Sequence, residues 1–318
     1  MSNDVTVPDS PVDPGESRAP EESAPTQSTK ARRIPAFVVA TVLILAGSAI
    51  QLPMFLSLVK QRSTLAIMIA ITYVLYTALV LWIFRRIVKW ERPTKPATAL
   101  AFIWGLLVVG AFQLVANGGI AQLLLAAGGV KFYNDWAPAF SASFTEEALK
   151  AAGVLVALAV SARRPKTALF VFFIGATVGL GFQVLENVNT TFGYALGTDS
   201  TNIKALGFIF GFRAVMLGLF SHIMYTGVFA LGLGYFLTRK DRGFGKRFGV
   251  LLSGIVFAMG AHFFNNSPFL KATFPDSPVG NLIKAIVPFM IFVIALVVAR
   301  RHAKAVLDPK TESSPPAR

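Results

Sequence analysis

The chain has 318 residues, of which 54% are hydrophobic and only 14% charged, with 28 Phe, no Cys and a formal net charge of +14. Soluble globular domains carry charge on about a quarter of their residues, so this composition excludes an ordinary soluble domain, and its apolar content excludes a disordered chain. The absence of Cys excludes disulfides, thiolate metal sites and a cysteine nucleophile.

The basic residues stand in short clusters between long apolar runs, with no zinc-finger spacing and no aromatic RNA-binding pattern. The charge therefore reads as that of a membrane protein in contact with the lipid bilayer, with no nucleic-acid partner. Residues 1–33, rich in Pro, Ser, Asp and Glu, read as a disordered cytoplasmic tail and not as a signal peptide. Apolar runs long enough to cross a hydrocarbon core of about 30 Å follow at 34–59, 65–84, 97–116, 138–160, 168–187, 206–237, 248–266 and 281–299. Pro53 is a place for the first to bend or end. The stretch 117–136, with Gly118, Gly119, Gly128 and Gly129, reads as a loop, and 301–318 as a second disordered tail.

The expected fold is thus an all-α polytopic transmembrane helix bundle of about eight spans. Arg32 and Arg33, the cluster from Arg85 to Lys95, Arg163 to Lys166, Arg239 to Arg247 and Arg300 to Lys304 all fall on one side of it. The positive-inside rule makes that side cytoplasmic, with both termini there. A multi-pass protein of the cell inner membrane is expected.

Most acids lie in tails or loops. Glu146, Glu147 and Glu186 do not, and each costs roughly 2.5–3.5 kcal/mol at bilayer depth unless it faces a polar interior. On one helix Lys150 is four residues from Glu146 and three from Glu147, within reach of both. His222 and His262 are intramembrane, while His302 sits in the basic tail and reads as solvated charge. All five, the three carboxylates and the two imidazoles, can meet in one cavity opening away from the cytoplasm. Arg213, nine residues before His222, joins them only if the long sixth span is broken. Gly175, Gly179 and Gly181 read as close-packing positions.

Four motifs in order, Glu146-Glu147-x-x-Lys150, Phe182-x-x-x-Glu186-Asn187, mid-span His222 and His262-Phe-Phe-Asn-Asn, resemble the PrsW family of intramembrane proteases. That family is related to the CAAX prenyl endopeptidases and the bacteriocin-immunity membrane proteins. The resemblance covers the core, 97–266, of a membrane domain at 34–300. It implies cleavage of a membrane protein or peptide substrate such as an anti-sigma factor, near the extracytoplasmic side.

Peptide hydrolysis needs a water, a base, a group that polarises the carbonyl and an acid for the leaving amine. Glu146 is the expected base, oriented by Glu147 and Lys150. His222 and His262 would bind metal or stabilise the oxyanion, with Glu186 as third ligand or orienting carboxylate. Asn265 or Asn266 would donate to the oxyanion. Two His and one carboxylate suit zinc or another divalent metal, and a metal-free glutamate mechanism is the other reading. The rival functions are a proton-coupled transporter, which needs polar groups continuing to the far side, and a catalytically silent scaffold or immunity-type protein.

Overall fold

The computed structural model describes residues 27–307 apart from 219–220, 271–272 and 275–277. The outer parts of both expected tails, 1–26 and 308–318, lie outside the described residues. The regular structure among the described residues is all helical: α1 (Gln27–Gln61), α2 (Ser63–Ile87), α3 (Lys95–Ile103), α4 (Gly110–Val160), α5 (Ala168–Gly197), α6 (Asn202–Ile209), α7 (His222–Thr238), α8 (Phe244–Asn266) and α9 (Pro278–Leu307). Two π-helical stretches, Trp104–Val109 and Phe210–Met216, continue α3 into α4 and extend α6.

Among the described residues, six helices are long and apolar enough to cross a membrane, and α7 is a shorter apolar helix of the same character. One of the six is the 66-residue run Lys95–Val160. The stretch 117–136, expected as a loop, belongs to that run. Gly118 and Gly119 do not break it, since the Ala, Leu and Gln residues that follow are good helix formers. Only Gly129, at φ 73° and ψ −177°, leaves helical geometry, in a region that glycine alone enters freely. Pro53 does not end α1, which continues to Gln61.

α5 lies at the centre, buried on nearly every side from Leu169 to Val184, and α7 is buried along most of its length. Both are apolar all round, as a helix surrounded by other helices should be. α1, α2, α8 and α9 turn Val, Leu and Ile residues such as Val74, Leu75, Val256 and Val298 outward. An apolar outer surface of this extent belongs against lipid.

The closest helix contacts occur where a side chain is missing. A Cβ on Gly179 would stand 2.4 Å from the His222 carbonyl oxygen, and one on Gly175 would stand 2.3 Å from the Ala230 Cβ. A Cβ on Gly181 would stand 2.1 Å from the Phe102 carbonyl oxygen. These glycines set α5 against α7 on one side and α3 on the other, and Gly179 does so beside His222 itself.

The two ends of the bundle differ in chemistry. At one end Arg33 donates to the Ala162 carbonyl (3.2 Å), Arg163 to the Arg92 carbonyl (3.4 Å), and Arg300 lies over the Trp90 ring (5.7 Å). There Glu91 accepts from the Thr167 amide and hydroxyl, both at 2.9 Å, and from the Lys166 amide, closing the start of α5. At the other end Arg62 bonds the Ala195 carbonyl and Asp199, and Asn266 bonds the Pro138 carbonyl. The basic clusters are therefore gathered at one end, as their sequence positions require.

Gly179→Val is expected to cost roughly 1–3 kcal/mol or more, because the obstructing atoms are backbone, read as a lowered Tm in detergent. Burial raises the Glu91 carboxyl above the usual carboxylate range, against the hydrogen bonds that lower it. A raised native value means that the folded protein holds this proton more tightly than the unfolded chain. Its ionisation therefore lowers stability as pH rises from the ordinary carboxylate value through the native one. Glu91→Gln should flatten that part of a Tm-against-pH curve.

Candidate active site

α4 presents Glu146, Glu147 and Lys150 on one buried face, α5 presents Glu186 and Asn187, and α7 and α8 present His222 and His262. Lys150 is the hub. Its ammonium, completely buried, donates to Glu147 at 2.8 Å, to Glu146 at 3.4 Å and to His222 Nδ1 at 2.9 Å. It also lies 4.3 Å over the face of Phe182, the aromatic residue of the α5 motif.

An ammonium has only donors, so His222 Nδ1 accepts, and Nε2 carries the proton it gives to Glu186 at 2.7 Å. His262 is held the other way round. Its Nδ1 donates to Glu147 at 2.9 Å, which turns Nε2 toward Glu146, 3.9 Å away. A carboxylate on one ring nitrogen, fixing tautomer and orientation for a ligand on the other, is the usual support of a metal-binding His. Tyr225 stacks on His262 at 5.0 Å and keeps that ring in plane.

The three carboxylates are not equivalent. Glu147 is closed between Lys150 and His262, and Glu186 lies between His222 and Arg213, whose guanidinium is 2.6 Å away. Glu146 is held more loosely. Among the described residues its contacts besides Lys150 and His262 come down to Asn117 Nδ2, at 3.3 Å. It faces a cavity of about 490 Å³ lined also by Glu186, Asn187, Arg213, His222 and His262. The lining continues to Pro138, Asn265 and Asn266, at the end away from the basic clusters.

Every expected site residue except Glu147 and Lys150 lines that cavity, and those two lie directly behind it. Arg213 joins them because α6 and its π-helical continuation end before α7 begins at His222. The break lets Arg213 and His222 reach the same Glu186 oxygen, and Arg213 Nε also donates to Asn187 at 3.0 Å. Asn266 stands at the rim, its amide 3.4 Å from the Pro138 carbonyl.

Other participants were not foreseen. Asn117, which bonds Glu146 and the Thr145 hydroxyl, and Gln113 beside it fall at or next to the stretch read as a loop. Lys284, buried in α9, donates to the Ser267 carbonyl at 2.6 Å and the Asn265 carbonyl at 3.2 Å, holding the end of α8 next to His262. A single Lys inside an apolar run was the available signal.

One nitrogen or oxygen each of Glu146, His222 and His262 lies within 4.8 Å of the others, and all three residues are buried. Three carboxylates against Lys150 and Arg213 leave one formal negative charge in a buried place, which a cation answers. The residues therefore fit a divalent metal. Glu146 is the carboxylate grouped with both imidazoles, while Glu186, the expected third ligand, meets His222 Nε2 at 2.7 Å and Arg213 at 2.6 Å.

The model of the PrsW family intramembrane metalloproteases matches residues 93–299. The chain belongs to that family. No curated protein and no solved structure matches it. The match begins just before α3 and ends within α9, so it takes in every element that supplies the cluster. The protein is accordingly a PrsW-type intramembrane protease, with a buried Glu-His-His cluster able to coordinate a divalent metal.

Because Lys150 is the counter-charge of two buried carboxylates, Lys150→Met should destabilise the protein by about 3–5 kcal/mol. The double variant Lys150→Met/Glu147→Gln should recover part of that loss, a coupling that a double-mutant cycle of unfolding free energies in detergent measures directly.

Proposed function

We propose that this protease cleaves a membrane-anchored protein, such as an anti-sigma factor, near the outer surface of the cytoplasmic membrane, with Glu146 as the base that activates water. The observation that carries this reading is the contrast among the carboxylates. Glu147 and Glu186 each make two charge-assisted contacts of 2.6–2.9 Å, whereas the contacts of Glu146 are 3.3–3.9 Å and it faces the cavity. A proton acceptor must be free to turn toward its water, and a carboxylate already saturated by short contacts is not.

In this mechanism His222 and His262 would hold the metal with Glu186 as third ligand: binding displaces the Nε2 proton that His222 gives to Glu186, which frees that nitrogen and the carboxylate oxygen beside it. When bound, the metal would polarise the scissile carbonyl and acidify a bound water. Glu147 fixes the His262 ring through Nδ1. Lys150 fixes Glu147 and the Nδ1 side of His222. Asn117 and Lys150 keep the Glu146 carboxylate turned to the cavity, where it takes the water's proton and returns it to the departing amine. Asn266, at the rim, donates to the oxygen of the tetrahedral intermediate.

Eight crossings, with both termini cytoplasmic, accord with the site's position. The break at Gly129 divides the 66-residue run into two arms, and α7 adds a short buried crossing. The basic clusters would then face the cytoplasm and the cavity the outside. A proton relay to the cytoplasm has little support. Below the site, the described part of α5 from Leu169 to Phe182 carries only Thr177 as a polar side chain, and its hydroxyl is spent on the Phe173 carbonyl.

The decisive comparison is of membrane and released proteins from cells carrying wild type, Glu146→Gln, Glu186→Gln and His262→Ala at matched expression, with metal analysis of each purified protein. Glu146→Gln should lower cleavage on the order of 10²–10⁴-fold while keeping its metal. His262→Ala and Glu186→Gln should lose both. Metal lost from Glu146→Gln but kept by Glu186→Gln would exchange the roles of the two carboxylates. Unchanged cleavage products with Glu146→Gln would remove the proposed base.

A further inference from the structure

A second hollow, sharing no lining residue with the catalytic cavity, lies at the opposite end of the bundle. α7, α8 and α9 enclose a groove of about 530 Å³ whose length is walled by residues such as Val228, Leu231, Val250, Phe257, Ile291 and Val298. Ser253 is the polar side chain along its wall, and its hydroxyl is satisfied by the Gly249 carbonyl at 2.9 Å. The other polar lining gathers at one mouth, where Tyr235, Thr238, Arg239 and His302 meet.

The groove is one leaflet deep. From Val228 to Arg239 on α7, and from Ile291 to His302 on α9, the chain rises about 16 Å at helical pitch, close to half of a hydrocarbon core of about 30 Å. That depth and the apolar wall suit a single hydrocarbon chain. The mouth is basic. Residues 239–247 hold five Lys or Arg and residues 300–304 three more, against Asp241 as the sole acid. Asp241 accepts from Arg239 at 2.6 and 2.8 Å and from Arg242 at 3.0 Å, but it is half exposed and offsets only one of those charges.

We propose that this groove is a binding site for one anionic phospholipid of the adjoining leaflet, with an acyl chain along α7, α8 and α9 and the phosphate at Arg239 and His302. His302, which the sequence suggests is only a solvated charge, becomes part of a headgroup site because α9 remains helical to Leu307 and carries it back against α7. Clustered cations between helices at a membrane surface select for anionic headgroups in this way. Small Ala295 and Ala299 leave the space that the chain fills.

The test uses the purified full chain, with phosphatidylglycerol and phosphatidylcholine of identical acyl chains as probes, followed by native mass spectrometry and by Tm. Wild type should retain phosphatidylglycerol over phosphatidylcholine by about tenfold and show the higher Tm with it. Arg239→Gln/His302→Gln should bring that ratio close to one, and Ala299→Phe should reduce retention of both lipids. Equal retention of the two lipids by wild type overturns the proposal, as does an unchanged ratio in the double variant or undiminished binding by Ala299→Phe. The first comparison is made on the wild-type protein, so a variant that fails to fold leaves the proposal testable.

Discussion

One buried ammonium organises the site. Lys150 contacts both carboxylates of its own helix and the imidazole of α7, while the face of Phe182 closes its remaining side. A buried ion pair contributes little net stability, since desolvation offsets most of its attraction, but an unpaired buried charge is strongly destabilising. The cluster therefore acts by exclusion. Arrangements in which α4, α5, α7 and α8 do not bring their polar groups to Lys150 strand a charge in an apolar interior. That constraint, more than the attraction itself, selects the packing.

The same constraint explains why the helices around the cavity are irregular. A continuous helix from 202 to 238 would set Arg213 and His222 half a turn apart; the break before His222 instead lets both reach one Glu186 oxygen. Irregular backbone at membrane depth is tolerated where it is enclosed by protein or lines a hydrated cavity, and here it borders the cavity at Phe212, Arg213, Leu217 and Ser221. Gly179 supplies the complementary feature, letting α5 approach α7 closely enough for Glu186 to meet His222.

Much of this was readable from residue order. Local relations carried best: Glu146, Glu147 and Lys150 share a face because i, i+3 and i+4 positions always do on a helix, and the apolar runs found the membrane helices, although α5 and α9 extend eight to ten residues beyond them and the run 206–237 holds more than one helix. Relations across a break did not carry. The reach of Arg213 depended on where a long span ends, and apolar periodicity does not mark that point. Asn117 was hidden by the glycines around it, which suggested a loop, although only Gly129 adopts a conformation that needs glycine. Lys284 escaped notice because a single cation near the end of an apolar run resembles a snorkelling residue; its actual task, capping the end of α8, is a tertiary fact.

The division of labour among the carboxylates follows from the positions of the bases. Two guanidinium or ammonium groups can saturate two carboxylates, and in this cluster Lys150 closes on Glu147 while Arg213 closes on Glu186. A third carboxylate in the same pocket must then be left with longer contacts, and it is left where the cavity begins. On the cavity side it faces Nε2 of His262 at 3.9 Å. The surplus negative charge that makes the pocket attractive to a metal ion and the loosely held group that can accept a proton are therefore one feature, produced by placing three acids against two bases.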